Sequence, residues 1–135
     1  MRLSVHCSDD MKFTIYGRLP SLNEYLAAER STIRGRRGHS AGNSMKHSCE
    51  IMIINAIRKA RLKRIKSPVV LHYTFYESNR KRDLDNISAT AHKFVQDALV
   101  KAGILENDGW HWIEGFTDAF AVDAKNPRIE VEIEL

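Results

Sequence analysis

Cysteine is nearly missing from this chain. Cys7 and Cys49 are the only two in 135 residues, and they lack the C-x-x-C spacing of a zinc or redox site. No disulfide framework can be built from them, so reduced thiols in a cytoplasm are the expectation. Long apolar runs are also absent. Nothing approaches the roughly 20 residues that span a bilayer, and residues 1–10 (MRLSVHCSDD) lack the apolar stretch of a secretory signal. A soluble, cytoplasmic protein with no membrane partner is expected. Three prolines and seven glycines exclude a collagen-like chain, while 43% apolar and 28% charged residues exclude a disordered tail. With no internal repeat, low-complexity tract or linker-like shift, one domain is expected over residues 11–135, behind an extension at 1–10.

Acidic residues are scarce in one part of the chain and abundant in another. Between Arg30 and Lys66, eleven basic residues (Arg30, Arg34, Arg36, Arg37, Lys46, Arg58, Lys59, Arg61, Lys63, Arg64, Lys66) face the single acid Glu50. From Glu106 onward the sign reverses, with eight acids against Lys125 and Arg128. The net charge of +4 hides this asymmetry. A basic cluster of this density is the electrostatic footprint of a protein that binds nucleic-acid phosphates by releasing counterions. A solvated helix face is the bland alternative.

Lys12–Tyr16 (KFTIY) alternates and reads as a strand, followed by a loop over residues 17–23. Residues 30–43 hold three glycines and four arginines around one large aliphatic residue, Ile33, and read as a basic flap. A helix is predicted from Ser44 to about Ile65 on the spacing of Ile51, Ile54, Ile57 and Leu62, and a central strand over 69–76 (VVLHYTFY). Over residues 86–102, Ile87, Ala91, Phe94, Val95, Ala98, Leu99 and Ala102 share one helical stripe that stops at Gly103. Residues 111–123 and 128–135 read as strands, which puts Trp110 and Trp112 on one strand face and in the core. These elements predict a two-layer α+β domain with two main helices and a mixed or mostly antiparallel sheet, in the order β-α-β-α-β-β.

Arg82-Asp83-Leu84-Asp85-Asn86 lies between the central strand and the second main helix. In extended backbone, residues two apart point the same way, so Asp83 and Asp85 can face one site and hold a hard divalent cation such as Mg²⁺. Asp108, just after the helix returns, is the candidate third acid. On the helix itself Asn86, Thr90, Lys93 and Asp97 fall within about 60° of one another at 100° per residue. That polar stripe makes Lys93 the candidate electrostatic catalyst for a phosphodiester. Taken singly, each of these residues is more often a cap, a turn or a solvated side chain. A calcium loop is excluded, because its fifth, sixth and twelfth positions counted from Asp83 are Ile87, Ser88 and Phe94. His72, His92 and His111 are scattered and read as structural.

Pro20-Ser21-Leu22-Asn23, the RDLDN segment before a helix, and Asp97-Ala98-Leu99 followed by Asn107-Asp108 together resemble the RusA family of Holliday junction resolvases. The resemblance implies a small homodimeric, Mg²⁺-dependent endonuclease that nicks four-way DNA junctions symmetrically, of a kind commonly carried by phages and prophages. Mn²⁺ is the alternative ion, and no small-molecule cofactor is expected. By motif position the family's catalytic aspartates fall on Asp83, Asp85 and Asp108. The family lysine, four residues past the second aspartate, falls on Ala89; Lys93 stands one helical turn later and keeps the same face. Arg34, Arg36, Arg37, Lys46, Arg80, Lys81 and Arg82 are expected to contact phosphates rather than bases. Rival readings are a nuclease acting on flaps, forks or other branched DNA, and a non-catalytic DNA-binding module.

Overall fold

The computed structural model describes residues 11–31 and 41–135. The extension at 1–10, and Arg34, Arg36 and Arg37 of the basic flap, lie outside the described residues. Seven elements follow one another: β1 (Lys12–Tyr16), α1 (Leu22–Ser31), α2 (Ala41–Lys59), β2 (Val69–Glu77), α3 (Leu84–Lys101), β3 (Ile113–Val122) and β4 (Arg128–Glu134). The sheet order is β1-β4-β2-β3. β1 and β2 both run antiparallel to β4, while β2 and β3 are parallel and joined through α3. This is the expected α+β class with a mixed sheet.

Alternation along the strands decides the layering. Leu71, Tyr73 and Phe75 of β2 are buried together with their register partners Ile133, Val131 and Ile129 of β4, as are Phe13 and Ile15 of β1. Against this face pack Ile53 and Ile57 of α2 and the predicted stripe of α3, from Ile87 to Leu99. Fully burying side chains the size of Phe75 or Phe94 contributes about 1.5–3 kcal/mol each. The opposite sheet face is polar. There Arg128 lies over the Tyr76 ring, 3.8 Å from its centroid, and bonds Glu130 and Asp123, while His72 sits between Thr117 and Glu134. Glu130, Glu132 and Glu134 along β4 add three acids to this face, beside Arg128 and His72.

Three helices stand where two were expected. Residues 22 to 31 form α1 rather than continuing a loop, because Ser21 and Glu24 cap it reciprocally. The Ser21 N–H donates to Glu24 Oε1 at 2.7 Å, and the Glu24 N–H donates to Ser21 Oγ at 3.2 Å. The bond from the Ser21 N–H holds the Glu24 carboxyl below the usual carboxylate range, against the cost of burial and with help from the Ser21 hydroxyl, Arg82 and Arg18. α2 begins earlier than predicted and ends at Lys59, short of Ile65. Arg61 takes a left-handed conformation (φ 57°) at its exit, and the chain then reaches β2 without regular structure. Gly103, with φ 80°, closes α3 where the sequence placed its stop.

Candidate active site

Because β2 and β3 are parallel, α3 runs back alongside β2, and its two ends lie at opposite ends of the strand. Asp83 is the N-cap of α3, in extended conformation (φ −71°, ψ 146°), and its carbonyl accepts the Asn86 and Ile87 N–H groups. The Asp83 side chain makes no capping bond, and both Asp83 and Asp85 are exposed. The pair therefore flanks the first turn of a helix, where unpaired N–H groups and the helix dipole favour negative charge. Beside it, where β2 and β3 end, a cavity of about 340 Å³ opens between Glu77, Arg80, Arg82 and an apolar wall of Leu84, Ile87, Phe120 and Val122.

Arg82 holds this end together. Its guanidinium makes two bonds to Glu77 (3.0 and 2.8 Å), one to Glu24 (3.1 Å) and one to the Leu19 carbonyl (2.9 Å). Burial works against the Arg82 charge, yet the bonds to Glu77 and Glu24 outweigh it and push its pKa up. Glu77 is itself buried. Thus Arg82, a candidate phosphate contact, is engaged inside the fold, joining the end of β2 to the start of α1. Arg82→Ala is expected to lower unfolding free energy by about 3 kcal/mol, the scale for breaking a buried pair. Arg82→Lys should recover little of it, since one ammonium cannot reproduce the fork. Urea denaturation of the three proteins checks this.

Asp108 is elsewhere. The Gly109 carbonyl accepts the N–H groups of Trp112 and Ile113, and Val69 donates to the Trp112 carbonyl. This fixes Asp108 at the Val69 end of β2, whereas Asp83 is at the Glu77 end, and nine strand residues separate the two ends by about 26 Å. One chain therefore does not bring the three aspartates together. Among the described residues no three His, Cys, Asp or Glu side chains are grouped to hold a metal ion.

Lys93 is exposed on α3 with its ammonium 3.6 Å from Asp97, which also receives Lys46 at 3.2 Å. It stands eight residues past Asp85, about 12 Å along the helix axis. The polar stripe that includes it is interrupted. Thr90 is buried, its hydroxyl donating to the Pro20 carbonyl, because it borders the apolar stripe and the loop after β1 covers it. Arg80 and Lys81 are exposed beside the aspartate pair. Trp110 corrects the core reading outright. It is 97% exposed at the apex of the turn before β3, and Trp112 is half-buried. Cys49 is buried, and burial raises its thiol pKa with help from Glu50, so it offers no ready nucleophile.

The carboxylate pair, unpartnered among the described residues, thus stands at a helix N-terminus beside a cavity and two exposed cations. The model of the family Endodeoxyribonuclease RusA matches residues 26–134 of the chain, which belongs to that family. It is accordingly a member of a family of DNA-cutting endonucleases, and no helix among its described residues is long and apolar enough to cross a membrane. Comparison with curated proteins finds no match.

Proposed function

We propose that the chain is a Mg²⁺-dependent endonuclease that resolves four-way DNA junctions by paired symmetric nicks and works as a C2 homodimer. The observation that supports this is the pair Asp83 and Asp85, two exposed carboxylates without a partner among the described residues, inside the stretch that matches the family. Mg²⁺ keeps several waters and is commonly held by one or two carboxylates together with substrate phosphate, so the pair suits it, and Mn²⁺ has the same taste for oxygen. When bound, the ion supplies an activated water and stabilises the leaving oxygen.

The remaining roles fall to the chain's own groups. N–H groups at the start of α3 orient a phosphate against the pair. Arg80 and Lys81 take neighbouring phosphates, and Arg34, Arg36, Arg37 and Lys46 those farther along the strand. Lys93 neutralises developing charge. Lys93 itself is exposed, and its 3.6 Å ion pair with Asp97, one turn further along α3, is long enough to be given up. A junction presents two equivalent strands, so paired nicks require two sites related by a twofold. Asp108, at the far end of β2, serves such a site as a contribution from the second copy.

The test uses the purified full chain with end-labelled four-way junction, fork, flap and linear duplex, in Mg²⁺ and in EDTA. Cleavage of the junction at symmetric positions, in Mg²⁺ only, is the expected result. Equal cutting of forks and flaps moves the reading to a nuclease of branched DNA in general. Tight binding without any cut, in Mg²⁺ or Mn²⁺, leaves a binding module.

A further inference from the structure

Two connections meet at the Val69 end of β2. One leads from α2 to β2 and carries Arg61, Lys63, Arg64 and Lys66, all exposed. The other leads from α3 to β3 and carries Trp110 and His111. Hydrogen bonds tie them together: Ile65 donates to the Ile104 carbonyl at 2.8 Å and Val69 to the Trp112 carbonyl at 2.9 Å. The only acid paired with this group of cations among the described residues is Glu106, 3.8 Å from Arg64 and itself exposed. Trp110 stands clear of the surface on a turn that is fixed at both sides. The Asn107 side chain accepts the Gly109 N–H at 2.8 Å, and the Gly109 carbonyl accepts those of Trp112 and Ile113.

A tryptophan 97% exposed gains nothing from the fold it belongs to. What it offers is an aromatic face on a fixed turn, in a connection hydrogen-bonded to the one that carries four cations, and aromatic faces with cations are the combination with which proteins take hold of nucleic-acid strands whose bases have lost a stacking neighbour. We propose that Trp110 stacks on a base exposed at the branch point, and that Arg61, Lys63, Arg64 and Lys66 take the phosphates on either side of it. This second contact surface lies about 26 Å from the Asp83 and Asp85 pair of the same chain. The inference rests on the reading of the chain as a DNA-acting enzyme, and adds to it which strand feature is gripped and by what.

The experiment uses the full chain carrying Trp112→Phe, so that Trp110 is its sole tryptophan, with a four-way junction in EDTA to prevent cutting. Trp110 emission is expected to be quenched by at least half as junction is added, and to stay constant when the protein alone is diluted. Trp110→Ala is expected to bind the junction about tenfold more weakly, the effect of removing one stacked base, with little change on linear duplex. Lys63→Ala together with Lys66→Ala should reduce the slope of log affinity against log salt by about two, near one per lost phosphate contact. Unchanged emission and unchanged affinity of Trp110→Ala, in a chain that still binds junction, overturn the proposal. Emission that shifts with protein concentration in the absence of DNA also overturns it, by assigning Trp110 to a contact between copies. Failure of the unaltered chain to bind any DNA sinks the parent reading instead.

Discussion

Asp83→Asn and Asp85→Asn should each cut a labelled four-way junction at least two to three orders of magnitude more slowly in Mg²⁺, the scale for loss of one electrostatic contact to a transition state, while binding the junction in EDTA as well as the unaltered chain does. Asparagine keeps the shape and the acceptor oxygen but removes the charge that holds a hard cation. The fold has little stake in either carboxylate. Asp83 caps α3 through its carbonyl and makes no side-chain capping bond. Asp85, in the first turn, loses only its interaction with the helix dipole, about 0.3–1 kcal/mol. A large loss of activity with near-native stability therefore separates a catalytic carboxylate from a structural one. Removing repulsion from phosphates can even tighten binding. Either variant cutting at the normal rate would end the assignment of the pair to metal binding.

The same two residues show what a sequence can and cannot disclose. β1, β2 and β4 were legible because each alternates cleanly against a one-sided core, and α3 because its stripe is continuous and closed by Gly103. α1 escaped because its apolar face is thin. The signal that would have revealed it is the Ser21-x-x-Glu24 capping box, with Tyr25 behind it packing edge-on against Phe94 at 5.5 Å. Trp110 was misplaced because a spacing of two with Trp112 suggests a strand, whereas the bonds to the Gly109 carbonyl delay β3 until Ile113. Arg82 looked like one more cation in a basic run, because its four acceptors come from β2, α1 and the loop after β1. Convergence of Asp108 with the other two aspartates depends on where the helix between them starts and stops relative to the sheet. That is a property of the parallel β2 and β3 pairing, and no local pattern encodes it.

If the three aspartates serve one ion, as proposed, the separation of Asp108 from its motif partners makes a second copy necessary, and β3 offers a way to bring it in. Among the described residues this strand is at the sheet edge and is paired on one side only, over ten residues without lysine or proline, two of the devices that blunt an exposed edge. Phe116 and Val122 on it and Leu84 at the start of α3 are half exposed. The other edge, β1, is half as long and begins with Lys12. Two β3 edges meeting antiparallel about a twofold would set the Ile113 end of one copy against the Val122 end of the other. Asp108 of each copy would then lie beside the Asp83 and Asp85 pair of its neighbour. If so, Asp108→Asn and Asp83→Asn are each inactive alone, but an equal mixture allowed to exchange subunits regains nicking. Half of the dimers are then mixed, and each has one intact site, so the strand-nicking rate returns to about a quarter of the unaltered value. Those dimers carry a single working site, so they leave nicked junctions and not resolved duplexes, visible as separate bands on native and denaturing gels. A mixture as inactive as its components, under conditions where subunit exchange is demonstrated, would require all three aspartates to act from one chain and would rule out a shared site.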